Sequence, residues 1–467
     1  MTKYHERKTI SIKIPIEIDD YLREFIFKNI NMYRHIKNIF IEYANKYKEE
    51  YGSYVGWSSL KFKTEYFKYE ESIKRYDEYC VGLSEQVSKD VLTTIKMIKT
   101  NYKKCKDNGN NTKEGTLHFR KYDRFYGSFK VHNKPIIHYN NFLVYNSRID
   151  VRDTKYIVFR VRGKKNHKSA EHLVVKLKEP LCDKIIYENN GNHKFIKYYT
   201  EGTSNHGYEF NSIDIKETCF IHELGKFYIQ FSINVTYKID KMKITNRLSK
   251  AGIDTGIHNP AILCSKVKDK ISGGKYYYFE RIGMDDKTSR KIHYLERRAR
   301  RIQHHMDNKY RINKERVEKG ELTSPYSNNY RKLQYKFRKI WRRVVNIRRH
   351  WIYVTCKAIV TRYRKIVVDT FQQPVGFKDR LPNKLKRIIN YNNRFHTMYL
   401  FNQTLKHMAE KYGCEYIEAP EKTTCTCSSC GYINKHLPLG KRNLVCEECG
   451  LVIDRDVNAA KNCYKST

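Results

Sequence analysis

Two cysteine pairs near the end of the sequence have the spacing of a zinc ribbon. Cys427 and Cys430 form one CxxC pair, and Cys446 and Cys449 form the second pair after fifteen intervening residues. A glycine follows each pair. Four thiolates fill the tetrahedral coordination of one Zn²⁺ and leave no open position for a substrate. The pattern therefore predicts a structural zinc site.

Three aspartates form a candidate for a second, catalytic metal site. Asp254 and Asp369 each lie where a predicted strand ends, and Asp456 lies at the start of the last predicted helix. If the strands pair side by side, the three carboxylates meet at one edge of a sheet. Mg²⁺ or Mn²⁺ would relieve their repulsion, and two such ions about 4 Å apart could hydrolyse a phosphodiester. Alternatively, Asp454 and Asp456 cap the last helix.

The composition favours a polyphosphate partner. The 467 residues include 92 Lys and Arg against 50 Asp and Glu, for a formal charge of +42 spread along the chain. Each phosphate that such a surface neutralises releases condensed counterions, so we expect nucleic acid as the partner. The 39 tyrosines and 21 phenylalanines could stack on bases, although most are expected in the core.

The cysteines and the apolar segments indicate the compartment. Nine of the thirteen cysteines lie outside the two pairs, scattered and odd in number, which favours a reducing compartment. The first residues have no apolar signal segment, and no run of about eighteen apolar residues occurs, so we expect no membrane insertion. The expected location is the cytoplasm of a bacterial or phage-infected cell, or the nucleus of a eukaryotic host.

The first half of the chain predicts a β-barrel with inserted helices. Residues 9–18 alternate with isoleucine at every second position, and a helical pattern then runs from Asp19 to about residue 106. Short strands separated by Asn and Gly turns follow as far as Tyr237. We therefore assign residues 1–18 and 107–247 to a nucleic-acid-binding barrel, and residues 19–106 to a helical lobe.

The second half predicts an α/β sheet of the ribonuclease H type. Three antiparallel strands are expected within residues 251–281, then a long basic helical region, a strand ending at Asp369, a helix over about 392–411 and a strand over 415–418. This domain covers residues 248–422 and 451–467, with the ribbon at 423–450 inserted.

The second basic helix shows a coiled-coil-like seam. Its apolar residues step by four and three along Leu333, Phe337, Ile340, Val344, Ile347, Trp351, Val354 and Ala358. Arginines lie off the seam at Arg331, Arg338, Arg342, Arg343, Arg348 and Arg349. We interpret them as a phosphate-binding face, with a merely solvated face as the alternative.

These motifs resemble the TnpB family of transposon-encoded RNA-guided nucleases, which are akin to the small type V CRISPR effectors. The resemblance rests on Gly252–Gly256, Ile366–Asp369, the two cysteine pairs, and the run from Asp454 to Asn462 that begins Asp-Arg-Asp-Val-Asn-Ala-Ala. It covers residues 248–467 by motif and the first half by layout alone, as a wedge-type barrel with a recognition lobe. It implies a RuvC-like nuclease domain, a guide RNA and a target DNA.

The resemblance also implies roles for individual residues. Asp254 would bridge both catalytic metal ions, Asp369 and Asp456 would complete the site, and the four cysteines would bind zinc. Asp369 departs from the family, which has glutamate there, so an RNA-guided DNA-binding protein or repressor with a weakened nuclease is the alternative function. Glu418 and Glu421 are alternatives to Asp369, and Asp454 to Asp456. A DNA-joining transposase is a third reading, and the oligomeric state stays open.

Overall fold

The protein divides into two compact units, residues 3–238 and residues 239–467, the latter together with residues 1–2. The computed structural model describes residues 8–54, 56–57, 83–107, 113–131, 136–138, 156–162, 171–179, 215–235, 247–256, 261–269, 273–369, 383, 398–420, 422–435 and 442–466.

The first unit contains two antiparallel sheets. The strands are β1 (Lys8–Pro15), β2 (Tyr126–Val131), β3 (Ile136–His138), β4 (Tyr156–Arg162), β5 (Glu171–Lys176), β6 (Ile215–Glu223) and β7 (Lys226–Val235). One sheet has the order β1-β7-β6-β2, and the other has the order β3-β4-β5. An isolated bridge between Ile16 and Leu177 joins them. Closure into a barrel remains a prediction, because several connecting segments lie outside the described residues.

Two helices pack on these sheets. Helix α1 spans Asp20–Tyr51 and helix α2 spans Leu83–Asp107. The Asp19 side chain caps α1 by accepting from the Leu22 amide at 2.6 Å. Alternate isoleucines of β1 are buried at positions 12 and 14, and one continuous apolar cluster includes them together with residues of both helices and both sheets. The alternation in the sequence therefore marks the inner face of β1.

The second unit is built on a five-stranded mixed sheet. Its strands are β8 (Leu248–Asp254), β9 (Ala261–Lys268), β10 (Lys275–Ile282), β11 (Tyr363–Asp369) and β12 (Glu415–Glu418), in the order β10-β9-β8-β11-β12. Strands β10, β9 and β8 are antiparallel, whereas β11 is parallel to both β8 and β12. The chain is thus an α/β protein of more than one domain, as expected.

Helices cover both faces of this sheet. They are α3 (Asp286–Glu318), α4 (Asn328–Arg362), α5 (Met398–Tyr412) and α6 (Arg455–Lys465). Helix α5 and the second half of α4 pack on one face through a large apolar core, and α6 packs on the other face. A small hairpin of β13 (Asn443–Val445) and β14 (Val452–Asp454) precedes α6. No described helix is long and apolar enough to cross a membrane.

The predicted seam of α4 is wrong in its second half. Ile340 and Val344 of the seam are buried as expected and pack on α3, but Val354 is 50% exposed. The buried stripe continues instead through Arg348, Ile352 and Cys356 in steps of four. The stripe shifts because the first half of α4 packs on α3, whereas the second half packs on the sheet and on α5.

Arg348 consequently does not belong to the predicted phosphate-binding face. Its guanidinium Nη2 lies 2.6 Å from Glu296 Oε1, and both side chains are at least 95% buried, with relative exposures of 5% and 2%. Glu296 is the one acid of α3 between Lys287 and His305. The ion pair therefore joins the two basic helices internally and removes the charge of that acid from their surface.

Candidate metal centres

The structure brings the three predicted aspartates together on one face of the sheet. Asp254 and Asp369 are direct partners in the parallel ladder between β8 and β11. Paired residues point to the same side of a sheet, and this is the side that α6 covers. Asp456 lies in the first turn of α6. Residues about one hundred positions apart along the chain thus share one site.

A glycine permits the close approach of α6 to the sheet. Gly252 lies two residues before Asp254, on the same face of β8. A Cβ atom built on Gly252 would lie 2.2 Å from the Tyr464 amide nitrogen and 2.3 Å from the Ala460 carbonyl oxygen. The backbone of α6 therefore rests directly on β8, which brings the first turn of the helix beside Asp254.

Burial and mutual repulsion shape the electrostatics of this cluster. Asp254 is 6% exposed, and its pKa is raised well above its ordinary value by burial and then by the charges of Asp369 and Asp456. Burial also raises the pKa of Asp369, against the effect of a hydrogen bond that its carboxylate accepts from the Thr423 hydroxyl. No described residue donates a hydrogen bond to the Asp254 carboxylate. The cluster thus carries excess negative charge around Asp254.

Arginines partly neutralise the α6 end of the cluster. Arg442 Nη2 lies 3.0 Å from Asp456 Oδ2 and 3.5 Å from Asp454 Oδ2. Arg455 Nε lies 3.5 Å from Asp456 Oδ1. Neither arginine was predicted from the sequence as part of the site, and Thr423 was not predicted either. Arg455 could have been predicted, since it lies between Asp454 and Asp456 in the sequence. No pattern in the sequence connects Arg442 with these aspartates.

Asp454 and Asp456 have different positions. Asp454 is the N-cap of α6, with Oδ1 accepting from the amides of Asp456 at 3.0 Å and Val457 at 3.2 Å. The capping alternative is therefore correct for Asp454. Asp456 does not cap the helix, and its carboxylate is directed to the arginines while it contributes to the pKa shift of Asp254.

Glu418 lies on the other side of the sheet from the acidic cluster. It pairs with Val368 in the ladder between β11 and β12, one residue before Asp369, so its side chain points away from the α6 face. Its Oε1 is 3.2 Å from Lys406 Nζ on α5. The structure thus separates Glu418 from Asp254 and Asp456. Glu421 lies outside the described residues.

The four predicted cysteines form a second, separate cluster. Their sulfurs all lie within 4.8 Å of one another, with Cys427 and Cys449 at 3.6 Å and Cys430 and Cys446 also at 3.6 Å. A Zn–S bond of about 2.3 Å implies a tetrahedron edge of about 3.8 Å, so the spacing fits zinc. Hydrogen bonds from the backbone amides of Cys449 and Glu448 help lower the pKa of Cys446 to about 6, which favours the thiolate ligand.

The two halves of the ribbon have the same local geometry. The amides of Gly431 and Gly450 each donate at 3.0 Å to the carbonyl of the first cysteine of their pair. Both glycines have positive φ, at 82° and 70°, which explains why a glycine follows each pair.

Two asparagines of α6 attach the ribbon to the helix. The Asn458 side chain is fully buried, accepts from the Ser428 amide at 2.8 Å and donates to the Thr426 carbonyl at 2.7 Å. Asn462, one turn later, donates to the carbonyls of Thr423 at 2.8 Å and Thr426 at 2.6 Å. The run from Asp456 to Asn458 therefore contributes a carboxylate to the acidic cluster and a side-chain amide that holds the ribbon against α6.

The acidic cluster is chemically suited to hard divalent cations. Asp254, Asp369 and Asp456 supply carboxylate oxygens, the donors preferred by Mg²⁺ and Mn²⁺. Among the described residues, only the four sulfurs gather within 4.8 Å, so the three carboxylates are spaced more widely. The buried, repelling carboxylates and the lack of a described donor at Asp254 fit cation binding.

Comparisons with known proteins show which families the chain resembles. The family described as Cas12f1-like, TNB domain, matches residues 399–463, which include the four cysteines and Asp456. A TnpB-like protein of Acanthamoeba polyphaga mimivirus is 35% identical over 147 residues, or 31% of this chain and 28% of the viral protein. The chain is thus similar to TnpB-like proteins over about a third of its length. A putative transposase of the same virus is 25% identical over 248 residues, which are 52% of this chain and 44% of the viral protein.

These similarities cover part of each protein. The matches span less than half the length of either mimivirus protein. Among solved structures, a Cas12f1 chain from a complex with a single guide RNA and target DNA covers 99% of this chain at 14% identity, with a TM-score of 0.43. That score does not by itself establish a common fold.

Proposed function

We propose that the chain is an RNA-guided, divalent-metal-dependent DNA endonuclease of a mobile element. The observation that carries the proposal is the meeting of Asp254, Asp369 and Asp456 on one sheet face, with the pKa of Asp254 raised by burial and by the other two carboxylates. Similarity to TnpB-like proteins supports a nuclease of the RuvC type, and the strand order β10-β9-β8-β11-β12 supports an α/β sheet of the ribonuclease H type.

The residues of the cluster have distinct tasks in this proposal. Asp254 would contact both Mg²⁺ or Mn²⁺ ions, while Asp369 and Asp456 would complete the two sites. Bound cations would supply an activated water and neutralise charge on the phosphodiester. Gly252 keeps α6 against the sheet so that Asp456 stays beside Asp254, and the zinc ribbon is structural because its four thiolates complete the coordination.

The basic helices would hold the nucleic acid. Helix α4 has no Asp or Glu in its 35 residues, and the only acid within Lys287–His305 of α3 is the buried Glu296. Exposed cations such as Arg297, Arg301 and Arg343 therefore face solvent with few competing acids. We propose that they contact the backbone of a guide RNA–target DNA duplex, whose base pairing selects the sequence.

The domain assignment is proposed in the same terms. Residues 1–18 and 107–247 would form the wedge-type barrel, residues 19–106 the recognition lobe, residues 248–422 and 451–467 the nuclease domain, and residues 423–450 the ribbon. The protein would work in the cytoplasm of a bacterial or virus-infected cell, or in the nucleus of a eukaryotic host.

DNA cleavage by the ribonucleoprotein tests the proposal. The chain is co-expressed with RNA from the flanks of its element, and the purified complex is incubated with matching DNA and Mg²⁺. We expect cleavage by the native complex and none by Asp254→Asn, with equal RNA content in both. Equal cutting by both complexes would contradict the assignment of the site.

A second candidate function is an RNA-guided DNA-binding protein with a weakened nuclease. Asp369 favours it, because aspartate is one methylene shorter than the family's glutamate and its carboxylate is already engaged by Thr423. Restoring the longer side chain with Asp369→Glu distinguishes the two functions. Cutting that appears only in this variant would support the binder, and cutting by the native chain would exclude it. Joined DNA products in the same gels would instead support a DNA-joining transposase.

A further inference from the structure

Two residues of the zinc ribbon, at equivalent positions in its two halves, contact the acidic cluster. Thr423 is the fourth residue before Cys427, and Arg442 is the fourth residue before Cys446. The Thr423 hydroxyl donates to the Asp369 carboxylate, and the Arg442 guanidinium lies 3.0 Å from Asp456. Each half of the ribbon thus contacts one carboxylate of the cluster.

Both contacts are held by the attachment of the ribbon to α6. The carbonyl of Thr423 accepts from Asn462 at 2.8 Å, and the Thr423 side chain is buried in the interface at 4% exposure. The carbonyl of Arg442 accepts from the Arg455 amide at 2.7 Å, in the first turn of α6. The folded ribbon therefore fixes the backbone from which both side chains extend.

We propose that the ribbon is a positioning element for the acidic cluster: Thr423 orients Asp369, and Arg442 neutralises Asp456 until a divalent cation displaces it. The inference deepens the proposed function and depends on cation binding by the three aspartates. Thr423 and Arg442 are positioning residues, since they act through the carboxylates.

The two residues are expected to have opposite effects on cation affinity. A hydrogen bond from Thr423 holds Asp369 in one orientation, so its loss leaves a ligand that must be ordered on binding. Arg442 places a positive charge where an incoming cation must approach, so its removal relieves like-charge repulsion. If the ribbon were purely structural, substitutions at Thr423 and Arg442 would change the cation affinity in the same direction or leave it unchanged.

Titration of the full-length, zinc-loaded chain with Mn²⁺ tests this, with free Mn²⁺ followed by electron paramagnetic resonance. We expect Thr423→Val to weaken Mn²⁺ binding by about tenfold and Thr423→Ser to restore it, because serine keeps the hydroxyl. We expect Arg442→Gln to tighten binding by about tenfold. Matched controls are Thr426→Val, whose hydroxyl bonds only a backbone carbonyl within the described residues, and Arg281→Gln, whose guanidinium is 3.8 Å from Asp454. Both controls should bind like the native chain.

The outcomes separate this inference from the proposed function. If the native chain binds Mn²⁺ no better than Asp254→Asn, cation binding by the cluster is refuted. If the native chain binds but Thr423→Val and Arg442→Gln shift together or leave the affinity unchanged, the positioning role is refuted. Zinc content and thermal unfolding check the ribbon in each variant. If Thr423→Val loses zinc, Thr423→Ala removes the same hydroxyl from a smaller side chain, and the same shift is expected.

Discussion

Replacing Gly252 by alanine should separate α6 from the sheet. The added Cβ would lie 2.2 Å from the Tyr464 amide nitrogen, 2.3 Å from the Ala460 carbonyl oxygen and 2.7 Å from the Tyr464 Cα. All three atoms belong to backbone, so no side-chain rotation can relieve the clash. Ordinary contact begins at about 3.4 Å, and α6 would therefore have to move by about 1.2 Å.

The displacement should reduce both stability and function. Overpacking of a well-packed core costs about 1–3 kcal/mol, and a backbone clash lies toward the upper end of that range. Asp456 moves with α6, and a ligand misplaced by about 1 Å can reduce activity about a hundredfold. We therefore expect Gly252→Ala to lose about 3 kcal/mol of unfolding free energy and most of its Mn²⁺ affinity or DNA cleavage.

Urea unfolding and Mn²⁺ titration measure the two effects. Gly283→Ala is the matched control, because nothing lies within 4 Å of its added Cβ and its φ is not positive. The control should behave like the native chain in both assays. A Gly252→Ala protein with native stability and native cation affinity would refute the close contact between β8 and α6.

Three further predictions follow from buried polar groups. Asn458→Ala should lose about 1–3 kcal/mol and release zinc more readily, because it leaves the buried Ser428 amide unpaired, whereas Asn308→Ala on exposed α3 should change little. Because the pKa of Asp254 is raised in the folded chain, the folded chain keeps the Asp254 proton at pH values where the unfolded chain has lost it. Without Mg²⁺, the free energy of unfolding should therefore fall as the pH rises above about 4 toward the raised pKa. Asp254→Asn should reduce that slope in urea melts at successive pH values. Arg348→Ala should cost about 3–5 kcal/mol by leaving Glu296 charged and buried, and the double change Glu296→Leu with Arg348→Met should restore stability.

Each of these three predictions can be contradicted by a specific result. Equal zinc release by Asn458→Ala and Asn308→Ala would show that the hydrogen bonds of Asn458 do not hold the ribbon. An unchanged pH slope in Asp254→Asn would assign the slope to other groups. A double variant no more stable than Arg348→Ala would show that packing, and not the unpaired charge of Glu296, causes the loss.

Local chemistry in the sequence was enough to find the side chains of both candidate metal sites. The CxxC spacing identified the cysteines that gather within 4.8 Å. Two aspartates at strand ends and one at the start of the last helix identified the cluster of Asp254, Asp369 and Asp456. Each signal is a pattern of residues close together in the sequence, so it can be recognised before the fold is known. The alternation of isoleucines likewise gave the buried face of β1, since a period of two belongs to a strand with one buried side.

Contacts between distant segments could not be inferred in the same way. Arg348 resembles its arginine neighbours in sequence, yet it is buried because α4 changes packing partners along its length. Arg442 lies twelve residues before Asp454 in a basic stretch, and only the folded hairpin of β13 and β14 brings its guanidinium to Asp456. Glu418 lies in the same sheet as Asp369, but the strand register directs it to the opposite face.

Cleavage of the polypeptide by Fe²⁺ tests the central claim most directly. The zinc-loaded chain is incubated with Fe²⁺, ascorbate and peroxide, and the cut sites are mapped by mass spectrometry. If the aspartates share one cation site, cuts should appear near residues 254, 369 and 456, should be suppressed by Mg²⁺, and should be absent in Asp254→Asn. Cuts that avoid all three segments, or that persist unchanged in Asp254→Asn, would contradict the account.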